Sequence, residues 1–221
     1  MSSSATDTSS RLRITEIFYS LQGESGSAGM PTVFIRLTGC PLRCGYCDTA
    51  YAFQGGEWMD VKDIVSSVSA YRTRYVTVTG GEPLAQRNCH ELLRQLCDAG
   101  YEVSLETSGA LDLSGVDSRV VRVMDLKTPS SGECERNLYA NIGFLSRRDQ
   151  VKFVIADRED YEWSARQVEN YHLADRCEVL FSPSYGQQDA AMLAGWILED
   201  HLPVRFQVQL HKILWGDEPG R

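Results

Sequence analysis

Short apolar runs that alternate with helix-like patterns are the feature of this sequence that most restricts its fold. The strand candidates are residues 14–20, 32–38, 74–79, 101–106, 120–126, 150–156, 177–183 and 204–210. Helical spacing of apolar residues follows Asp60 and Asn88, which are predicted N-caps, and recurs over about residues 159–173 and 188–200. This alternation predicts an α/β fold with a parallel sheet and crossover helices.

The number of predicted elements favours an incomplete (β/α) TIM-like barrel. A full barrel takes about 250 residues, and this chain has 221. A doubly wound open sheet is the alternative fold. In both folds, ligands bind beyond the C-terminal ends of the strands, so chemically active residues are expected there.

A single domain is predicted, because no linker or internal repeat divides the chain. Residues 1–11 have a Ser/Thr-rich composition that cannot bury apolar surface, and they are predicted to form a disordered tail before a core domain at 12–221. The near-apolar run at 190–198 is much shorter than the roughly 20 residues that span a bilayer, so no membrane segment is expected.

The charge and the cysteine content restrict the partners and the compartment. The chain has 30 acidic and 22 basic residues, a net charge of -8, which disfavours nucleic-acid binding. Seven cysteines, three of them within eight residues, fit reduced thiols better than a secreted disulfide framework. With no signal-peptide pattern at the start, a cytoplasmic protein is expected.

The cysteine-rich segment TGCPLRCGYCDT (38–49) follows a predicted strand directly. Its C-x3-C-x2-C spacing lets Cys40, Cys44 and Cys47 ligate a 4Fe-4S cluster while the fourth iron stays open to a ligand. A structural zinc site would require a fourth ligand, a ferredoxin-type cluster would require a fourth cysteine nearby, and buried unreactive thiols would not cluster in a Gly/Pro-rich loop.

A glycine pair marks the end of another predicted strand. In VTVTGGEPLAQ (76–86), Gly80 and Gly81 allow the backbone to approach a ligand closely, and Glu82 supplies a carboxylate. An ordinary turn would have the same local sequence.

Together, CPLRCGYC and GGEP resemble the motifs of the radical S-adenosylmethionine (SAM) superfamily. The resemblance implies that the open iron binds SAM and that reductive cleavage of SAM yields a 5'-deoxyadenosyl radical. It further implies SAM contacts from a set of residues near these motifs. These are Tyr46, Cys47, Asp48, Gly81 and Glu82.

Further segments resemble the 7-carboxy-7-deazaguanine synthase family, and the resemblance extends from about residue 14 to Lys212. LQGE (21–24) implies that Leu21, Gln22, Gly23 and Glu24 contact a pterin substrate. Arg36 in FIRLTGCP is implied to bind the substrate carboxylate, for which a guanidinium fork is well suited. Thr49 is implied to ligate Mg²⁺, with substrate oxygens and water completing the octahedron.

Strand ends later in the chain carry further implied contacts. Thr79, Glu106 in LETSG and His211 in the final Q-x-H-K are the remaining candidates for the substrate. Asp125, Leu126 and Lys127 in MDLKTP and Ser182 in FSPSYG are those for SAM. The last residues, after Lys212, receive no role, because close relatives often end before them.

The resemblance implies a ring-contracting lyase of queuosine biosynthesis. Such an enzyme converts 6-carboxy-5,6,7,8-tetrahydropterin to 7-carboxy-7-deazaguanine and releases ammonia, beginning with removal of the hydrogen at C6. A flavodoxin- or ferredoxin-type electron donor and a homodimer are implied as well. Two alternatives remain at this point: a glycyl-radical enzyme activase, which shares the cysteine motif, and a metal-binding regulatory or scaffold protein with a degenerate site.

Overall fold

The computed structural model describes residues 10–216, 218 and 220, which contain nine strands and six α-helices. The strands are β1 Arg11–Leu21, β2 Pro31–Leu37, β3 Glu57–Asp60, β4 Tyr75–Gly80, β5 Glu102–Thr107, β6 Val121–Asp125, β7 Gln150–Ile155, β8 Glu178–Pro183 and β9 Arg205–Phe206. The helices are α1 Val61–Ser69, α2 Cys89–Asp98, α3 Arg158–Asn170, α4 Leu173–Arg176, α5 Ala190–Glu199 and α6 Leu210–Trp215. Short 3-10 turns lie between them.

All nine described strands form one sheet in the order β3-β1-β2-β4-β5-β6-β7-β8-β9. From β2 to β9 the neighbours are parallel, whereas β1 is antiparallel to both β2 and β3. The predicted mostly parallel α/β sheet is therefore confirmed. The expectation of parallel pairing is wrong for β1, because the connection to β2 is a short loop rather than a crossover helix.

Side-chain alternation gives the two faces of the sheet different surroundings. Val33 and Ile35 of β2, Val151 and Phe153 of β7, and the residues in phase with them on the other strands pack with the helices in one apolar core. Residues of the opposite phase point to the other face. A doubly wound sheet would carry helices on both faces, so this one-sided core favours the incomplete barrel.

Some element boundaries differ from the sequence predictions. The run 204–210 was expected to be a strand, but β9 has only two residues and Leu210 already begins α6. Asp60 and Asn88 occupy the predicted N-cap positions, yet neither side chain caps its helix. The Asn88 amide donates instead to the carbonyl oxygen of Arg11, at 2.9 Å, which connects α2 to β1.

Residues 1–9 of the predicted disordered tail (1–11) lie outside the described residues. Arg11 is the first residue of β1, so the tail prediction does not hold at that residue. No helix in the described ranges is both long enough and apolar enough to cross a membrane.

Candidate active site

A cavity of about 480 Å³ opens beyond the C-terminal ends of the parallel strands, on the face away from the apolar core. Strand alternation directs a polar side chain from each of four adjacent strands into it: Thr79 of β4, Glu106 of β5, Asp125 of β6 and Lys152 of β7. The cysteine loop forms another part of the wall. The fold thus brings together segments that are far apart in the sequence.

Most of the residues singled out from the sequence line this one cavity. They are Leu21, Gln22, Gly23, Glu24, Arg36, Cys40, Cys44, Tyr46, Cys47, Asp48, Thr49, Thr79, Gly81, Glu106, Asp125, Lys127 and His211. The other four cysteines of the chain do not line it, and two of these, Cys89 and Cys177, are buried. Position therefore separates the three loop cysteines from the rest.

The three loop thiols suit a cubane cluster better than a single ion. Cys40 and Cys44 are partly exposed and Cys47 is exposed. No three His, Cys, Asp or Glu side chains of the described residues are arranged to hold one metal ion. A cubane takes each thiolate at a different iron, so it does not require such convergence. Burial raises the pKa of the Cys40 and Cys44 thiols, and coordination to iron would deprotonate them.

Glycines allow the cysteine loop and the GGEP turn to pack backbone against backbone. The Gly81 amide donates to the carbonyl oxygen of Leu37, at 3.1 Å, and the Glu82 amide donates to that of Gly39, at 2.8 Å. A Cβ at Gly81 would overlap the Gly39 carbonyl oxygen. Gly81 is therefore needed for the GGEP turn to pack against the cysteine loop, whether or not a ligand is bound.

Glu82, Leu126 and Ser182 are the three candidate residues that are not among those lining the cavity. Glu82 is fully buried, and its carboxylate accepts hydrogen bonds from the Leu84 amide and from Thr107 and Ser108. The Leu126 side chain packs in the apolar core. Ser182 is buried in β8, where no described residue is a hydrogen-bond partner of its hydroxyl. The Glu82 carboxylate and the Leu126 side chain therefore have structural surroundings, whereas Ser182 has the strand phase opposite to the core residues Val179 and Phe181 and pairs with Val154, which lines the cavity.

Hydrogen bonds hold the Glu106 carboxylate and the Gln22 side chain in place on the substrate side of the predicted site. Glu106 accepts from the Gln22 amide, at 3.2 Å, and from the Thr79 hydroxyl, at 2.9 Å. The Gln22 carbonyl oxygen accepts from the Glu24 backbone amide, at 3.2 Å. Gln22 is almost fully buried, so its side chain positions its neighbours more than it presents a surface to a ligand.

Two lysines balance the acidic groups in the cavity, and sequence reasoning missed one of them, Lys152. Lys127 lies 3.0 Å from Asp125, and Lys152 lies 2.5 Å from Glu24 and 3.7 Å from Asp125. Burial alone would lower the pKa of Lys127, but the charge of Asp125 outweighs it and raises that pKa. Burial also raises the pKa of Tyr46, to about 12, so the phenol stays neutral.

Arg36 is held at the cavity wall by an ion pair and by aromatic rings. Its Nε donates to Glu16 Oε1, at 2.7 Å, and the Tyr51 hydroxyl donates to the same oxygen. The guanidinium also lies over the rings of Phe18 and Tyr51. No other hydrogen bond from the guanidinium is seen to the described residues, which leaves its two Nη groups for a ligand.

Asp48 and Thr49 form an oxygen-rich pair at the end of the cysteine loop. The Thr49 hydroxyl donates to Asp48 Oδ1, at 2.8 Å. Burial would raise the pKa of Asp48, but this hydrogen bond and the charges of Lys152, Lys212 and His211 lower it. Asp48 is therefore ionised at neutral pH, as a cation ligand or a hydrogen-bond acceptor must be.

The start of α6 closes the cavity beside the LQGE segment. The Leu210 amide donates to the carbonyl oxygen of Gly23, at 3.0 Å. A Cβ at Gly23 would overlap the His211 ring. The C-terminal residues thus depend on a glycine near the N-terminus, and this contact brings His211 to the cavity.

Comparisons with known proteins show which family the chain is similar to. The Radical SAM superfamily model matches residues 34–172. The chain is 44% identical to the 7-carboxy-7-deazaguanine synthase of Chlorobaculum tepidum, over 96% of this chain and 97% of that protein. It is 40% identical to that of Koribacter versatilis, over 94% and 98% of the two chains. The crystal structure of QueE from Escherichia coli superposes with a TM-score of 0.75 at 21% identity, covering 91% of this chain and 95% of that one, and supports the fold.

Proposed function

The chain belongs to the 7-carboxy-7-deazaguanine synthase family of the radical SAM superfamily, and from this premise we propose how its cavity residues divide the catalytic work. The enzyme contracts the ring of 6-carboxy-5,6,7,8-tetrahydropterin to give 7-carboxy-7-deazaguanine and ammonia, a step of queuosine biosynthesis. A glycyl-radical activase and a degenerate scaffold, the two earlier alternatives, are not supported by this membership.

The observation that carries the proposal is a single cavity with the three loop thiols in one wall and the LQGE segment in another. Cys40, Cys44 and Cys47 would hold the 4Fe-4S cluster. When bound, the cluster and SAM supply a 5'-deoxyadenosyl radical that takes a hydrogen atom from the substrate. The protein residues must therefore hold SAM and the substrate side by side and keep water out.

On the SAM side, the proposed contacts come from the cysteine loop and from β4 and β6. Tyr46 would contact the adenine of SAM, and the backbone of the Gly81 segment would bind its amino group. Asp125 and Lys127 form an ion pair that binds polar groups of SAM. Glu82 acts indirectly, because its buried carboxylate fixes the turn that carries Gly81.

On the substrate side, Arg36 binds the C6 carboxylate through its two Nη groups while Glu16 holds its Nε. Charge-assisted bidentate pairs of this kind combine strength with a fixed orientation. Glu106 and Glu24 accept hydrogen bonds from the N–H edge of the pterin, and His211 closes over it. The result is a substrate whose C6 hydrogen points toward SAM.

A magnesium ion is proposed at Thr49, with Asp48 within hydrogen-bond distance of that hydroxyl. Hydroxyl and carboxylate oxygens suit Mg²⁺, and substrate oxygens and water would fill the remaining positions. The ion would then hold the substrate rather than the fold. Electrons are proposed to arrive from a flavodoxin- or ferredoxin-type donor, and the enzyme is proposed to act as a homodimer in the cytoplasm.

Anaerobic turnover tests this proposal. Iron-reconstituted protein is incubated with SAM, dithionite, Mg²⁺ and 6-carboxy-5,6,7,8-tetrahydropterin, and the products are followed by mass spectrometry. 7-Carboxy-7-deazaguanine is expected, with lower activity after Mg²⁺ is removed by a chelator. Cleavage of SAM without this product would contradict the substrate assignment, and an intact cluster with no SAM cleavage would contradict the chemistry.

A further inference from the structure

Lys152 is the one charged residue of the strand β7 (QVKFVI), and no motif of the chain includes it. It lies on the cavity side of β7, directly opposite Asp125 in the parallel β6–β7 register. Its ammonium lies 2.5 Å from Glu24 Oε2 and 3.7 Å from Asp125 Oδ2. It therefore connects the floor of the cavity to the LQGE segment.

The surroundings of Lys152 keep it charged despite its burial. Its side chain and those of Glu24 and Asp125 are each 10–15% exposed. Burial alone would lower the pKa of Lys152, but Glu24, Asp125 and Glu106 outweigh this and raise it. A buried ion pair of this kind is costly to break, because removal of one partner leaves the other charge uncompensated.

The two carboxylate oxygens of Glu24 differ in their hydrogen bonding to the described residues. Oε2 accepts from Lys152, whereas Oε1 is buried and finds no hydrogen-bond partner among the described residues. The residue is 7% exposed and lines the cavity. Buried acceptors without a partner are rare in proteins, so Oε1 fits an acceptor for an N–H group of a bound ligand.

We propose that Lys152 is a positioning residue that holds the Glu24 carboxylate with Oε1 available to an N–H group of the heterocyclic substrate. Asp125 fixes the ammonium from the neighbouring strand. Lys152 itself does not touch the substrate in this scheme. The inference rests on the proposed function, in which Glu24 binds the pterin edge.

A double-mutant cycle tests this inference with four reconstituted proteins: wild type, Glu24→Gln, Lys152→Met and Glu24→Gln/Lys152→Met. The dissociation constant of 6-carboxy-5,6,7,8-tetrahydropterin is measured by anaerobic calorimetry, along with KM and kcat. Each single variant is expected to weaken binding by about tenfold or more, as for loss of a hydrogen bond to a charged group. The double variant should bind within about twofold of Glu24→Gln, because Lys152 acts through Glu24.

The inference is overturned if Lys152→Met binds substrate like the wild type, or if adding it to Glu24→Gln weakens binding about tenfold again. If Lys152→Met does not fold, the comparison of Glu24→Gln with the double variant tests the inference, because neither of these proteins contains a Glu24 carboxylate. Failure of the proposed function gives a different result, namely a wild-type enzyme that makes no product. If the function holds but Glu24→Gln binds the substrate as tightly as the wild type, Glu24 is not a substrate contact and the role of Lys152 is refuted.

Discussion

Individual cysteines of this chain differ in position rather than in chemical type. Cys44 lines the cavity, whereas Cys134 is partly exposed outside it. Cys44→Ser should lose most of the 4Fe-4S cluster and all SAM cleavage, because two thiolates cannot replace three. Cys134→Ser is the matched control and should keep both. Iron content and 5'-deoxyadenosine formation are the measurements, and wild-type iron content in Cys44→Ser would contradict the assignment.

Arg36 combines a structural contact with a proposed substrate contact. Arg36→Lys keeps the positive charge but cannot form the bidentate hydrogen bonds by which a guanidinium binds a carboxylate. The KM for the pterin should rise by roughly ten- to a hundredfold, as expected for a charged hydrogen bond. Arg94→Lys on the exposed face of α2 is the control and should leave the KM unchanged. Steady-state kinetics decide, and equal KM values for the two variants would count against the substrate contact.

Motifs predicted the location of most cavity residues, but they did not separate side chains that face the cavity from those behind it. Glu82 belongs to GGEP and yet faces β5, and Gln22 belongs to LQGE and yet supports Glu106. Lys152 belongs to no motif, although its phase within QVKFVI, opposite to Val151 and Phe153, was a usable signal. Such assignments depend on strand pairing, which a motif does not encode.

At the level of elements, Glu82 connects the ends of β4 and β5. Glu82→Ala removes the acceptor for Thr107, Ser108 and the Leu84 amide, and it leaves buried donors unsatisfied. The free energy of unfolding should fall by about 3 kcal/mol. This loss lowers Tm by roughly 6–12 °C for a chain of this size. Glu91→Ala on the exposed face of α2 is the control, and thermal denaturation of the two variants is the measurement. Similar Tm values would contradict this role.

The central parallel strands were predictable because their apolar runs are long and buried. The edges of the sheet were not. β3 (EWMD) has no apolar pattern and forms by pairing with β1, and the run 204–210 divides between β9 and α6 because Leu210 donates to Gly23. In both cases a distant partner, rather than local sequence, decides the structure.

For the molecule as a whole, exposed apolar side chains are the feature that bears on assembly. Large apolar side chains are exposed at Trp58, Leu198 and Ile213, and such surface is often covered by a partner subunit. Sedimentation equilibrium of the reconstituted enzyme should give twice the 24.8 kDa of one chain. A single-chain mass at micromolar concentration would refute the proposed homodimer.

The central claim is that one cavity holds SAM and the pterin side by side, and isotope transfer tests it most directly. The enzyme is supplied with SAM, dithionite and 6-carboxy-5,6,7,8-tetrahydropterin deuterated at C6, and mass spectrometry follows the deuterium. The account predicts deuterium in 5'-deoxyadenosine or in recovered SAM, together with 7-carboxy-7-deazaguanine. Product formation with no deuterium in either adenosyl compound would contradict it.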